Sequence, residues 1–239
     1  MSAPERPAFP GATAVSGLHV YDWPAADGLC GGSPHVHLAC TESYVVVGGS
    51  GELHTLTVAG LERTALLPGV LAWFGPGTIH RAVNHAELRV VVVMQNSGLP
   101  EAGDAVLTFP PEILRDPEAY REAARAGDAE SARRRRDLAV AGHLELAAAV
   151  AQGRTEALAE FYRLAVALRA ELFESWDAVV SAGALTAARR TAEQISALRR
   201  GEIDHLLAAG LRVEGAPEPA HRAYGMCGRL DRYPPAVAP

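Results

Sequence analysis

Two histidines separated by a single residue, His35 and His37, are the first positions of the sequence that carry recognisable chemistry. On a β-strand, residues two apart leave the same face, so both imidazoles would point one way and preplace two nitrogen ligands. Glu42 lies at an odd offset from His37, which an unbroken strand would send to the opposite face. A bulge or break between Leu38 and Thr41 is therefore required if the carboxylate is to join the imidazoles. His80, just after the Gly75-Pro76-Gly77 turn, can enter from a neighbouring strand. Three imidazoles and one carboxylate suit a single divalent transition metal, Fe, Mn, Co, Ni, Cu or Zn, with positions left for water, substrate or dioxygen. Tyr44 shares the parity of Glu42, which places its phenol beside the metal, able to hydrogen-bond or protonate a substrate. His54 and Gln95 stand on predicted strands with their facing unassigned and are candidate substrate-binding residues.

Strands are needed to hold these groups, and residues up to about 110 supply them. The stretches 42–47, 52–58, 70–74, 78–83 and 88–94 are rich in β-branched and aromatic residues. Gly48–Gly51, Ala59-Gly60, Gly75–Gly77 and Asn84–Glu87 punctuate them with turn chemistry, and no helical period intervenes. That pattern predicts an antiparallel sandwich or barrel. Beyond residue 110 the period becomes helical. Asp116 followed by Pro117 reads as a helix start and Gly127 as its end, with a short amphipathic element next. Thr155 is expected to cap a long helix whose apolar stripe runs Leu158, Phe161, Ala165, Leu168, Leu172, Trp176 and Val179. A second helix is expected from Thr186 to about Ala209, with Ile195, Leu198, Ile203 and Leu206 inward and Gly210 as its stop, forming a hairpin with the first. The division that follows is a loose leader over 1–17, a β-domain over 18–110, a helical extension over 111–212 and a proline-rich irregular tail over 213–239.

The 239-residue chain is 49% hydrophobic and 21% charged, which excludes wholesale disorder. Its longest apolar run, Leu146–Ala151, is far short of the roughly 20 residues that cross a bilayer, so no membrane partner is expected. The net charge is −6, and neither half is basic, which argues against nucleic acid. Cys30, Cys40 and Cys227 are odd in number and form no C-x-x-C pair. With a start that lacks a secretory pattern, they point to reduced thiols in the cytoplasm. Cys40 reads as a buried structural thiol. Arg133–Arg136 reads as a solvated, partly ion-paired face.

The segment Gly32-Ser-Pro-His35-Val-His37-Leu-Ala-Cys-Thr-Glu42, with Gly49 further on, resembles the first cupin motif. The segment Gly69-Val-Leu-Ala-Trp-Phe-Gly-Pro-Gly77-Thr-Ile-His80-Arg-Ala-Val-Asn84 resembles the second. Two places depart from the pattern. Gly75 stands where the family has proline, with Pro76 one place late, and the leading glycine is displaced to Gly28 or Gly31. The resemblance covers roughly residues 18–100. It implies a small antiparallel β-barrel of the double-stranded β-helix or jelly-roll type, here followed by an α-helical extension. It further implies metal-ligand roles for His35, His37, Glu42 and His80.

Cupins span many activities, so the fold leaves function open. The expected function is a mononuclear metal-dependent enzyme acting on a small organic molecule, dioxygenase-like, with Glu42 as ligand and base and Tyr44 as a second catalytic group. The alternatives are a non-redox isomerase, epimerase or lyase, and a non-catalytic metal or metabolite binder or sensor. A helical half without a basic recognition helix argues against a DNA-binding regulator. The helices are expected either to cap the barrel mouth or to build a homodimer.

Overall fold

The computed structural model describes residues 9–215 and 217–233. Nine strands, β1 (Ala14–Val20), β2 (His35–His37), β3 (Glu42–Thr57), β4 (Gly60–Leu66), β5 (Leu71–Phe74), β6 (Ile79–Met94), β7 (Ala105–Leu107), β8 (Ala223–Tyr224) and β9 (Gly228–Arg232), form one antiparallel sheet. Its path runs β4-β3-β6-β1-β9-β8, with β5 along the first part of β3 and β2 between β6 and β7. The sheet does not close on itself.

The two long strands organise this architecture. Glu42–Val46 pairs with Val90–Met94, whereas Gly51–Leu56 pairs with Ile79–Asn84, and the register shifts between Val46 and Gly51. Gly48–Gly51 and Asn84–Glu87 are therefore bulges and bends inside continuous strands, not the turns their composition predicts. Glycine serves both purposes, because either demands unusual backbone or close approach. Gly49 shows the need: its φ is +72°, and a Cβ there would lie 2.2 Å from the Glu87 carbonyl oxygen. Bending both strands at one level lets one core gather Tyr44 and Val90 from one half with Leu53, Leu66 and Ala82 from the other.

The helices are α1 (Pro111–Leu114), α2 (Pro117–Ala124), α3 (Ala129–Ala151), α4 (Glu156–Arg169), α5 (Phe173–Val180), α6 (Thr186–Arg199) and α7 (Asp204–Leu207). Asp116 caps α2 as expected, accepting from the amides of Glu118 and Ala119. The short element expected next is instead the 23-residue α3. Thr155 makes no side-chain cap, and the long helix it was to begin breaks at residues 170–172. Its stripe nonetheless faces inward, with Leu158, Phe161, Ala165 and Trp176 buried. α6 ends at Arg199 rather than near Ala209, and it continues from α5 through residues 181–185 instead of folding back as a hairpin. Ile195, Leu198, Ile203 and Leu206, expected inward, are exposed. Helices α1 to α4 pack by Leu114, Tyr120, Ala139, Val150, Leu158 and Phe161 onto Val36, Leu56, Ile79 and Val106, the outer face of the strands.

Two further expectations change. β1 begins inside the leader, residues 1–8 of which lie outside the described residues. The tail is a hairpin whose β9 pairs with β1 from Ser16↔Arg232 to Val20↔Gly228; residues 216 and 234–239 lie outside the described residues. Of the arginine run, Arg133 and Arg134 are exposed but Arg135 and Arg136 are buried. Their guanidinium groups donate to the carbonyls of Gly225 and of Trp23 and Pro24 respectively, which supplies the partners a buried charge requires. Among the described residues no helix is long and apolar enough to cross a membrane.

Candidate metal centre

Alternation on β2 sends Val36 outward into the helix-facing core and leaves both histidines on the inner face. β2 ends at His37 and β3 begins at Glu42, so the break required between Leu38 and Thr41 is present. It is held by Gln95, whose backbone amide donates to the Thr41 carbonyl at 3.0 Å and whose side-chain oxygen accepts from the Thr41 amide at 3.3 Å. Cys40 donates from within the bend to the Gln95 carbonyl, and burial pushes its thiol pKa up. His80 is paired directly opposite His35 across β2 and β6.

The four residues converge. One ligand atom from each of His35, His37, Glu42 and His80 lies within 4.8 Å of the others, and all four side chains are buried. Each imidazole is fixed through Nδ1: His35 to the Ser33 carbonyl at 2.9 Å, His80 to the Thr78 carbonyl at 3.2 Å, and His37 to Asp104 Oδ2 at 2.9 Å. The Nε2 atoms of His37 and His80 face Glu42 Oε2 at 3.2 and 3.0 Å. Glu42 Oε2 and His80 Nε2 are buried without a hydrogen-bond partner. Such orphaned atoms are costly unless something shared lies between them. Ligands about 2.1 Å from one ion and at right angles around it stand about 3 Å apart, so the spacing and the donor types fit a divalent transition metal.

Two buried carboxylates, Glu42 inside the cluster and Asp104 beside His37, supply the negative charge at that point. Burial opposes ionisation of Glu42, but His80 and His37 beside it hold its carboxyl well below the usual carboxylate range. Burial alone would depress His37, yet Asp104 and Glu42 raise it to about 9. Burial, with His80 and His37 nearby, pushes His35 well below its ordinary value, so that ring is neutral and free to ligate.

Tyr44 points into the same core, its ring centroid 6.4 Å from that of His80 and its hydroxyl donating toward Cys227 Sγ at 3.9 Å. Burial, Cys227 and Glu42 hold the phenol protonated, well above its usual pKa. The other two candidates lie elsewhere. His54 pairs across β3 and β6 with Arg81, on the face opposite His80, and bonds Glu52 at 2.7 Å. Gln95 is exposed and serves the bend described above.

Three further residues, Asp104, Phe74 and Cys227, stand around the cluster and Tyr44. Asp104 is fully buried and orients His37 while accepting from the Ala39 amide at 2.7 Å, an outer carboxylate of the kind that fixes a ligand's tautomer. It comes from a segment 67 residues away with no periodic signal. Phe74 packs on the His80 ring at 4.3 Å and sits opposite Glu42, where alternation along β5 does place it inward. Cys227 arrives from the tail, which carried no strand signal.

No family model matches the sequence, and no curated protein matches it. Among solved structures the chain is similar to an uncharacterized conserved protein with a double-stranded beta-helix domain from Klebsiella pneumoniae, at 23% identity and a TM-score of 0.27, over 34% of this chain and 64% of that one. It is also similar to Streptomyces PAC13 with uridine, at 14% identity and a TM-score of 0.31, over 41% and 69% of the two chains. The TDP-quinovose 3,4-ketoisomerase WlaRB of Campylobacter jejuni overlaps at 14% identity and a TM-score of 0.29, over 34% and 60%. The chain thus spans less than two thirds of the first and third of these. Independently of those overlaps, the two sequence motifs, the bent antiparallel sheet and the buried cluster of three histidines and one glutamate make this chain cupin-like.

Proposed function

We propose that the chain is a metal-dependent enzyme that rearranges or cleaves a small organic molecule by proton transfer, an isomerase, epimerase or lyase. The observation that supports this reading is Tyr44, buried in the same core as the cluster with its ring centroid 6.4 Å from that of His80 and its phenol held protonated by burial. The dioxygenase reading uses the same four ligands and gains no further residue from the site. His35, His37, Glu42 and His80 would hold the ion, which when bound supplies a Lewis acid to polarise a substrate oxygen. Asp104 keeps His37 facing inward. The protonated Tyr44 Oη would donate a hydrogen bond or a proton to the substrate oxygen, and the Glu42 carboxylate would take the proton released from carbon. Phe74 packs against the His80 ring and forms an apolar wall beside it. A small-molecule substrate, a homodimer and a reducing cytoplasm, with Cys30, Cys40 and Cys227 as free thiols, complete the reading.

Elemental analysis of untagged protein purified without chelator is the first test, and about one equivalent of Fe, Mn, Ni, Co, Cu or Zn is expected, lost in His35→Ala and His80→Ala. The loaded protein is then incubated in D2O with a panel of hydroxy-aldehydes and hydroxy-ketones, and NMR reads deuterium at the carbon next to the carbonyl. Exchange should fall about 100-fold or more in Tyr44→Phe while metal content holds. Absence of metal after reconstitution with each ion overturns the metalloenzyme reading, and substrate-dependent oxygen uptake in place of exchange restores the dioxygenase.

A further inference from the structure

The β8–β9 turn leans on the short segment that delivers His35. Met226 accepts the Ser33 amide at 2.8 Å, and the Ser33 carbonyl in turn receives His35 Nδ1 at 2.9 Å, so one residue links the tail to the ligand. Next to it, a Cβ on Gly32 would lie 2.3 Å from the Cys227 Cα, which means the two backbones touch and only glycine fits. The opposite side of the same segment is held by β6. The Gly32 amide donates to the Ala82 carbonyl at 2.9 Å, and Arg81 Nε donates to the Gly32 carbonyl at 3.1 Å. Gly32-Ser33 is therefore a shelf gripped between the ligand-bearing strand and the C-terminal turn.

The turn is itself pinned from three directions. The Tyr21 hydroxyl donates to the Gly225 carbonyl at 2.9 Å, Arg135 of α3 donates to the same oxygen, and the Tyr21 amide donates to the Cys227 carbonyl at 3.2 Å. Asp231, between Arg222 and His19, anchors the following strand. The Cys227 side chain faces inward and accepts the Tyr44 hydroxyl, so the turn touches both a ligand's support and the candidate proton donor.

We propose that the hairpin Ala223–Arg232 is a positioning element of the metal centre: through Met226 and Cys227 it seats the Gly32-Ser33 shelf that aims His35, and through Cys227 it aims the Tyr44 hydroxyl. The inference rests on reading the four-residue cluster as a metal site. Displacing the turn removes the backbone brace from His35 while His37, Glu42 and His80, which are braced by Asp104 and by β3 and β6, keep their places. Outer groups that orient ligands are worth about 10- to 100-fold in metal affinity.

The experiment uses metal-stripped, full-length protein titrated with Co2+ alone, read by visible absorption and by competition with a chelator. Gly32→Ala drives a wedge against Cys227 without demanding a special backbone angle. It should weaken cobalt binding about tenfold or more and change the absorption bands, as His35→Ala does. Hydrogen exchange should show the Ser33 amide deprotected while amides of Val91–Val93 stay protected, which separates a loosened shelf from a loosened fold. Tyr21→Phe, which removes one pin on the turn, is the gentler second variant and should weaken binding about threefold. Cys227→Ala should change turnover in the D2O assay more than cobalt affinity, with Cys227→Ser restoring it. Wild-type cobalt affinity and spectrum in both Gly32→Ala and Tyr21→Phe, with the Ser33 amide deprotected, overturns the role of the hairpin. Failure of the wild-type chain to bind cobalt overturns the metal reading and this inference with it.

Discussion

Helices α3 and α6 invert each other. The first carries the arginine run and is buried along one side; the second carries the apolar pair Ile195 and Leu198 and buries no residue. Their surroundings explain the reversal. α3 lies over the sheet's outer face, where Ala139 and Val150 pack with β-strand side chains and the carbonyls of Trp23, Pro24 and Gly225 accept from its arginines. The guanidinium groups of Arg135 and Arg136 satisfy those oxygens. α5 anchors the other run by Trp176, but the helix then continues past the sheet, and α6 packs chiefly against residues 10–12 and its own preceding turn. Periodicity marks which side of a helix is apolar; what stands opposite decides whether that side is buried.

The largest effect that tests this contrast is expected at Arg136. Arg136→Ala leaves two carbonyls of the 21–24 segment without their donor and opens a void, so urea unfolding should show a loss of about 4 kcal/mol. A loss under about 1 kcal/mol would return the residue to the solvated face its sequence suggests. The next effect is in pH. Burial, with Arg81 and His54 nearby, lowers His143 of α3 to about 4, so the folded state holds it neutral while the unfolded chain protonates near 6.5. Stability from this group is complete above pH 6.5 and drains away as pH falls toward 4, by about 3 kcal/mol. His143→Gln should flatten that part of the stability curve, and an unchanged slope would place the titration elsewhere. The smallest effect belongs to α6, where Ile195→Ser and Leu198→Ser should each change the unfolding free energy by less than about 0.5 kcal/mol. A larger loss in dilute solution would mean that the pair is covered after all.

The site was more legible than its frame. The four ligand positions follow from spacing two apart on a strand, one necessary break and a glycine-bounded turn, all short-range signals, and the structure brings those four side chains together. Tyr44 follows from the same alternation. What stayed hidden depends on distance along the chain: Asp104 and Cys227 reach the cluster from segments whose local sequence says nothing about where they will lie. In sequence the bent strands look like separate ones, because glycine marks a bulge and a turn alike. The tail looks irregular in sequence because its strands are short and flanked by prolines.

Pairing of β1 with β9 joins residues more than 200 positions apart, and it has a consequence for synthesis. At about 5 to 20 residues per second, a ribosome needs about 10 to 40 seconds to make the intervening chain. During that interval one edge of β1 has no strand beside it and the Ser33 amide has no Met226 to meet. Contacts this remote in sequence also slow the final folding step, because loop closure comes before their reward. β1 must wait for β9, and an edge left open that long is where a nascent chain of this kind invites a chaperone or a stray neighbouring strand.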